Sequence, residues 1–225
     1  MAFIMGIILG IIIPIILIFI VSSIIALISG ILTYFLSNNE KKKRKVFIAV
    51  VAPFQILYSF FFILLIGGLV ISETKNIDIG IGDSWYVPLN NSCEILMIDI
   101  TDKAFLKCNE ETLLSDITDL QLKNNKVYGK TNNNKYFSLN LNNNITQHYL
   151  NENDLKESEN ITVLDLQKTN DFYNNRKWEL TEYLIILDFI LAVFFSVIGF
   201  FILFRITLHG WKLNFNKKKT TTNTG

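Results

Sequence analysis

Residues that usually carry chemistry are scarce in this chain. Its 225 residues include two cysteines, two histidines and three prolines. Cys93, Cys108 and His148 are too few for a four-ligand zinc site outside the chain's termini, and no zinc-type spacing occurs. There is no glycine-rich phosphate loop, nucleophile elbow or dinucleotide fingerprint. The sequence therefore predicts no cofactor, no metal and no catalytic residue. Net charge is close to absent too: 21 Lys and Arg against 20 Asp and Glu leave +1, which argues against nucleic acid as a partner. Most telling is a local absence, because residues 3–36 contain no charge at all.

That uncharged run is one of three apolar stretches, the others being residues 46–71 and 183–208. Each exceeds the roughly 20 residues that cross a bilayer as helix. The expected fold is an integral membrane α-helical protein with three transmembrane helices and a small all-β domain, meander or sandwich, ending in a membrane-proximal helix. Thirty-four residues of helix reach about 51 Å, more than one perpendicular span needs. A tilt, a kink at Pro14 or a projecting N-terminal turn would absorb the excess. A signal peptide does not fit, since no cation precedes the run and it is too long.

Charge orients the spans. Lys41, Lys42, Lys43, Arg44 and Lys45 fill the link 37–45, and Arg205, Lys212, Lys217, Lys218 and Lys219 lie at the end of span three and in the tail 209–225. Residues 72–182 carry 18 acidic and 11 basic side chains, a charge of −7. The positive-inside bias predicts a cytoplasmic link and tail, with residues 72–182 and the N-terminus outside. The basic run also has the composition that attracts anionic lipid. Abundant Asn, Lys and Ile suit an AT-rich genome, and the expected location is a bacterial inner membrane.

Within residues 72–182 the pattern is mostly β. Runs 85–89, 94–100 and 104–108 precede runs 117–123, 126–130, 135–141 and 145–149, with asparagines at 90–91, 124–125, 132–134 and 142–144 supplying turns. The reading is an initial hairpin followed by a four-stranded antiparallel meander, folded as a sandwich or a curled sheet. A helix is expected near Asp165, either continuous with span three or broken near Asn174 and Asn175.

Several residues stand out. Cys93 and Cys108 flank the predicted hairpin of residues 94–100 and 104–107, and a disulfide between them would close about 15 residues for roughly 3 kcal/mol. Asp188 lies about five residues, roughly 8 Å, inside span three, either facing protein as a contact, ion ligand or proton carrier, or reaching the headgroups. Gln55 lies near mid-bilayer in span two, as a packing hydrogen bond. Gly6 and Gly10, Gly67 and Gly68, and the stripe Ser22, Ala26 and Gly30 are small residues that permit close helix approach. Asn90, Asn144 and Asn160 begin glycosylation sequons. The acidic side chains of residues 72–182, Asp78 among them, read as a solvated surface.

The expected function is a membrane-anchored, extracytoplasmic protein-binding or regulatory module, such as an immunity-type protein or an accessory subunit of a membrane complex. Its partners would be the lipid bilayer and another protein, met through the outer domain or the helices. The alternatives are an oligomeric transporter or channel component using Asp188, and an extracytoplasmic enzyme.

Overall fold

A computed structural model describes residues 8–78, 84–98 and 102–209. It contains four helices, three of them long and apolar: α1 (Ile13–Leu36), α2 (Lys42–Lys75), α3 (Glu152–Ser158) and α4 (Thr169–His209). Eight strands form one antiparallel sheet: β1 (Ser84–Pro88), β2 (Cys93–Ile98), β3 (Ala104–Cys108), β4 (Glu111–Lys123), β5 (Lys126–Thr131), β6 (Tyr136–Asn140), β7 (Ile145–Tyr149) and β8 (Gln167–Lys168). The chain divides into two compact units, Met1–Ile15 with Phe62–Leu191, and Ile16–Phe61 with Ala192–Gly225.

The first unit holds the sheet. Strands β1 to β7 pair in sequence order, each with the next, and β8 joins β4. Asparagine explains most of the turns. Asn124 and Asn125 both adopt positive φ (50° and 61°), and Lys123 pairs with Lys126 across them. That is the two-residue hairpin geometry matching the twist of its strands. Asn134 and Asn144 take the same left-handed conformation in the two following turns.

A second two-residue turn, Asn109-Glu110 (φ 50° and 68°), starts β4 at Glu111 instead of the expected 117. A register shift hides the first half of β4 from a period-two reading, because Leu106 pairs with Leu114 but Ala104 with Ile117, and Asp116 between them has φ 56°. The strand is long enough for its first half to pair with β3 and its second half to offer that same edge to β8.

The sandwich alternative does not hold, since all eight strands belong to one sheet. Its apolar face presents Val87, Ile95, Met97, Leu106, Ile117, Leu120, Val127, Phe137 and Leu139, all fully buried. Ile77, Phe172 and Tyr173, from beside the sheet, complete that core instead of a second sheet. On the other face α3 covers β6 and β7 with Leu155, which is also fully buried. Nothing in the strand pattern announces α3, but Asn151 caps it, its side chain accepting from the Asp154 amide at 2.9 Å.

Of the two expected forms of the last helix, the continuous one is found. It begins at Thr169, after β8, and runs unbroken through Asn174 and Asn175 to His209. The side chain of Asn175 hydrogen-bonds Gln167 at 3.2 Å and so does not interrupt the helix.

The second unit is built on close helix contacts. Ser22, Ala26 and Gly30 are the buried residues of α1. A Cβ on Gly30 would stand 2.8 Å from Val50, and Ser29 donates to the Ala49 carbonyl at 2.7 Å. A π-helical turn, Ile8–Ile12, precedes α1. Pro14 has no N–H to give the carbonyl four residues back, and a wider turn before it accommodates that loss. Helix α2 begins at Lys42, four residues before the expected 46, because lysine and arginine sustain helix once the apolar run anchors it.

The three long helices, over Gly10–Leu36, Lys42–Lys75 and Thr169–Leu208, are long and apolar enough to cross a membrane. Their exposed surface is apolar on many sides: Leu17, Leu27, Phe35, Leu69, Phe194 and Phe201 are each at least half exposed. In water such a surface would be costly; in lipid it is the solvated state.

Candidate functional site

Asp188 sits within the first unit with its carboxylate directly over Gly67 of α2. A Cβ at position 67 would collide with all three carboxyl atoms, so the absence of a side chain there is what admits the acid. Asp188 therefore has a contact with α2, as its protein-facing reading expects. The second unit repeats the arrangement in the opposite sense, with Gln55 of α2 lying over Gly199 of α4. The Gln55 amide donates to Ser59 Oγ at 3.1 Å and to the Ser196 carbonyl at 3.4 Å. Helices α2 and α4 therefore each supply one polar side chain and one glycine to the other. Gly199 drew no notice in the sequence; the missing signal was its pairing with Gln55, 144 positions away.

Not every small residue takes part. Among the described residues a Cβ on Gly68 meets nothing within 4 Å, so Gly68 makes no such contact within the chain. Gly10 is half-buried, and Gly6 lies outside the described residues. Among the described residues two buried polar atoms, Ser22 Oγ and Gln55 Oε1, lack a hydrogen-bond partner, which leaves the Gln55 contact only half satisfied. The glycine contacts give a paired expectation. Replacing Gly67 by alanine should cost about 1–3 kcal/mol through the displaced carboxylate. Gly68→Ala should be neutral or slightly stabilising, alanine being the better helix former. Thermal unfolding in detergent separates them, and equal effects would refute the role given to Gly67.

Where the helices meet the sheet, four side chains make a clamp within the first unit. Asp78, following α2, is 6% exposed. Its carboxylate accepts from the Tyr173 hydroxyl and from the Tyr86 amide at 3.2 Å, and Lys177 lies 3.7 Å away. Lys177 also donates to the Tyr173 oxygen at 2.8 Å. Arg176 reaches the carbonyls at the end of β1, Pro88 at 3.4 Å and Leu89 at 3.5 Å. Tyr173, Arg176 and Lys177 are one helical turn of α4, at the three- and four-residue spacing that shares a face. Sequence reasoning placed Asp78 among surface acids; it is a buried anchor because α4 brings it a cation and a hydroxyl.

Cys93 and Cys108 are direct cross-strand partners with Cα atoms 4.1 Å apart and sulfurs bonded. They border a polar cleft of roughly 590 Å³ lined largely by Asn76, Asn90, Asn91, Glu94, Lys107 and Asn109. Asn90 is committed there: its side-chain oxygen accepts from the Ser92 and Cys93 amides at 2.9 and 2.7 Å, and its nitrogen donates to the Leu141 carbonyl at 3.1 Å. Asn90, the first residue of its sequon, thus has both side-chain polar atoms engaged in the turn before β2. Asn144 is half-buried and Asn160 exposed. His148 is exposed on β7.

The basic run occupies the link and the first turn of α2. Lys41 Nζ and Arg44 Nη1 each lie 3.3 Å from the Leu208 carbonyl near the end of α4. Cations there complement the negative end of that helix. Lys42 Nζ stands 4.0 Å over the Tyr34 ring. No family model, characterised protein or solved structure matches the chain.

Proposed function

We propose that the protein is a multi-pass inner-membrane protein that holds its disulfide-bonded β domain outside the cytoplasm, where the domain binds another protein. The observation that carries this reading is the clamp. Asp78, Tyr173, Arg176 and Lys177 fasten the sheet to the ends of two long apolar helices, so that the domain is presented by a stiff support and not by a flexible tether. A disulfide in that domain suits an oxidising compartment. The cation-rich link and tail and the acidic intervening region support the orientation.

The binding surface in this reading is the free edge of β7. Among the described residues the strand pairs with β6 alone, and its sequence Ile-Thr-Gln-His-Tyr has no lysine, proline or acid to guard the edge. Ile145 and Leu150 are 56% and 80% exposed beside it. An extended segment of the partner would add there as a further strand.

Two measurements test the reading together. An engineered cysteine at Asn132 should label from outside intact cells while one at Lys43 is spared; the reverse pattern overturns the orientation. A photo-crosslinking residue at Gln147 should capture the same protein repeatedly from native membranes, and one at Lys123, at the far end of β4, should not. Indiscriminate capture at both positions refutes β7 as the binding edge.

A further inference from the structure

The five consecutive cations at residues 41–45 do more than the orientation of the chain requires. Among the described residues none of them forms an ion pair with a carboxylate. They stand at the N-terminus of the 34-residue helix α2, whose first turn contains no acid. The helix dipole adds positive potential at that end, so the charge is concentrated, and it is offset only in part, by the end of α4 beside Lys41 and Arg44. Three of the cations are also held in place. Lys41 and Arg44 share the Leu208 carbonyl, and Lys42 rests on Tyr34.

These residues surround a cavity of about 900 Å³, lined by Tyr34, Asn39, Val46 and the cations at 41–44. Its surroundings are apolar as well as basic. Phe35, Leu36 and Phe47, next to it in sequence, are 77%, 80% and 54% exposed. A free inorganic anion would satisfy the charge and leave this hydrocarbon surface unused. A molecule with an anionic head joined to acyl chains satisfies both. We infer that this cavity binds the headgroup of an anionic phospholipid, with Lys42 and Lys43 meeting the phosphate and the chains lying along the α1 and α2 surfaces. The inference rests on α1, α2 and α4 being membrane spans.

Lys42 and Lys43 are the residues to change, because Lys41 and Arg44 also hold the end of α4. The full chain, purified in a neutral detergent, is titrated with phosphatidylglycerol, phosphatidylcholine or inorganic phosphate, and bound lipid is read by native mass spectrometry alongside the thermal unfolding midpoint. Phosphatidylglycerol should bind saturably and raise the midpoint; the other two should not. At about fivefold per cation, K43Q should weaken phosphatidylglycerol about fivefold and K42Q/K43Q about 25-fold. K75Q, at the opposite end of α2, should change nothing.

Equal response to phosphatidylcholine, or affinity unmoved by K43Q, overturns the site. An equal response to inorganic phosphate overturns the lipid in favour of a free anion. If the midpoint of K42Q/K43Q falls without lipid, K43Q alone decides, since among the described residues the Lys43 side chain forms no ion pair. Micelles have no sides, so failure of the orientation, seen as outside labelling at Lys43, is distinguishable from failure of the site. A chain that stays monomeric and soluble without detergent would instead sink the membrane reading itself.

Discussion

Replacing Phe137 by alanine is expected to cost the sheet about 3–5 kcal/mol, the range for removing a fully buried aromatic ring. Phe137 lies on β6, an interior strand of the sheet, directly opposite Gly129 of β5. Its ring packs over that glycine so closely that a Cβ there would strike the ring, and would stand 2.9 Å from the Asp119 carbonyl. Gly129→Ala should therefore cost about 1–3 kcal/mol through overpacking, even though alanine is ordinarily no worse in a strand. The two residues are one packing unit, so their effects cannot add. Phe137→Leu removes the ring atoms that a new methyl group would meet, and the double substitution should be less damaging than the sum of the singles. Recovery should be partial, because the Asp119 carbonyl is backbone and stays. Hydrogen exchange of the β5 and β6 amides reads the sheet separately from the helices; strict additivity in that measurement would refute the coupling.

This dependence shows what a single sequence reveals and what it hides. The alternation Phe137, Leu139, Leu141 is visible as a strand because periodicity two needs only neighbours in sequence. The need for glycine at 129 is invisible, since it arises from a residue on the next strand. The same distinction runs through the molecule. The three apolar runs, the Cys93–Cys108 pair and the asparagine turns are short-range signals, and the structure contains each of them. The glycines under Asp188 and Gln55, and the cation that Lys177 brings to Asp78, depend on partners more than 90 residues away. Gly67 and Gly68 look identical in sequence; only the direction in which each faces from α2 separates a contact from open space. Helix α3 is a different case. Its asparagine cap was present to be read, but seven residues between a strand and a polar stretch give too little apolar periodicity to claim a helix.

Acid should loosen the domain through Glu159. This residue follows α3, and its side chain is 8% exposed. Lys126 Nζ lies 2.6 Å from one carboxylate oxygen; Ser138 donates to the other at 2.6 Å and the Tyr149 hydroxyl at 3.2 Å. Burial pushes the carboxyl upward, but the hydrogen bonds from Lys126, Ser138 and Tyr149 outweigh it, and the group sits below its usual value of 4.5. A carboxyl depressed in the folded state stabilises the fold above the unfolded pKa, and that stability is lost as pH falls through the folded one. Lys126 behaves oppositely. Its hydrogen bond to Glu159 raises it above 10.5, so its contribution is complete below that value and is lost as pH rises through the raised one. Lys126→Met leaves the carboxylate buried without its cation. Because Lys126 is itself more than a third exposed, the cost at neutral pH should be about 3 kcal/mol, the low end for breaking a buried pair. Without the cation burial governs, Glu159 titrates at a higher pH, and protonation relieves the penalty. The gap between wild type and Lys126→Met should therefore narrow as pH falls from 7 toward about 3. Glu159→Gln, which cannot ionise, should remove the part of the acid dependence that Glu159 carries. Since Glu159 ties α3 to β5, β6 and β7 at once, the protection lost first should be that of the β7 amides, and a pH-independent gap in that exchange experiment would overturn the assignment.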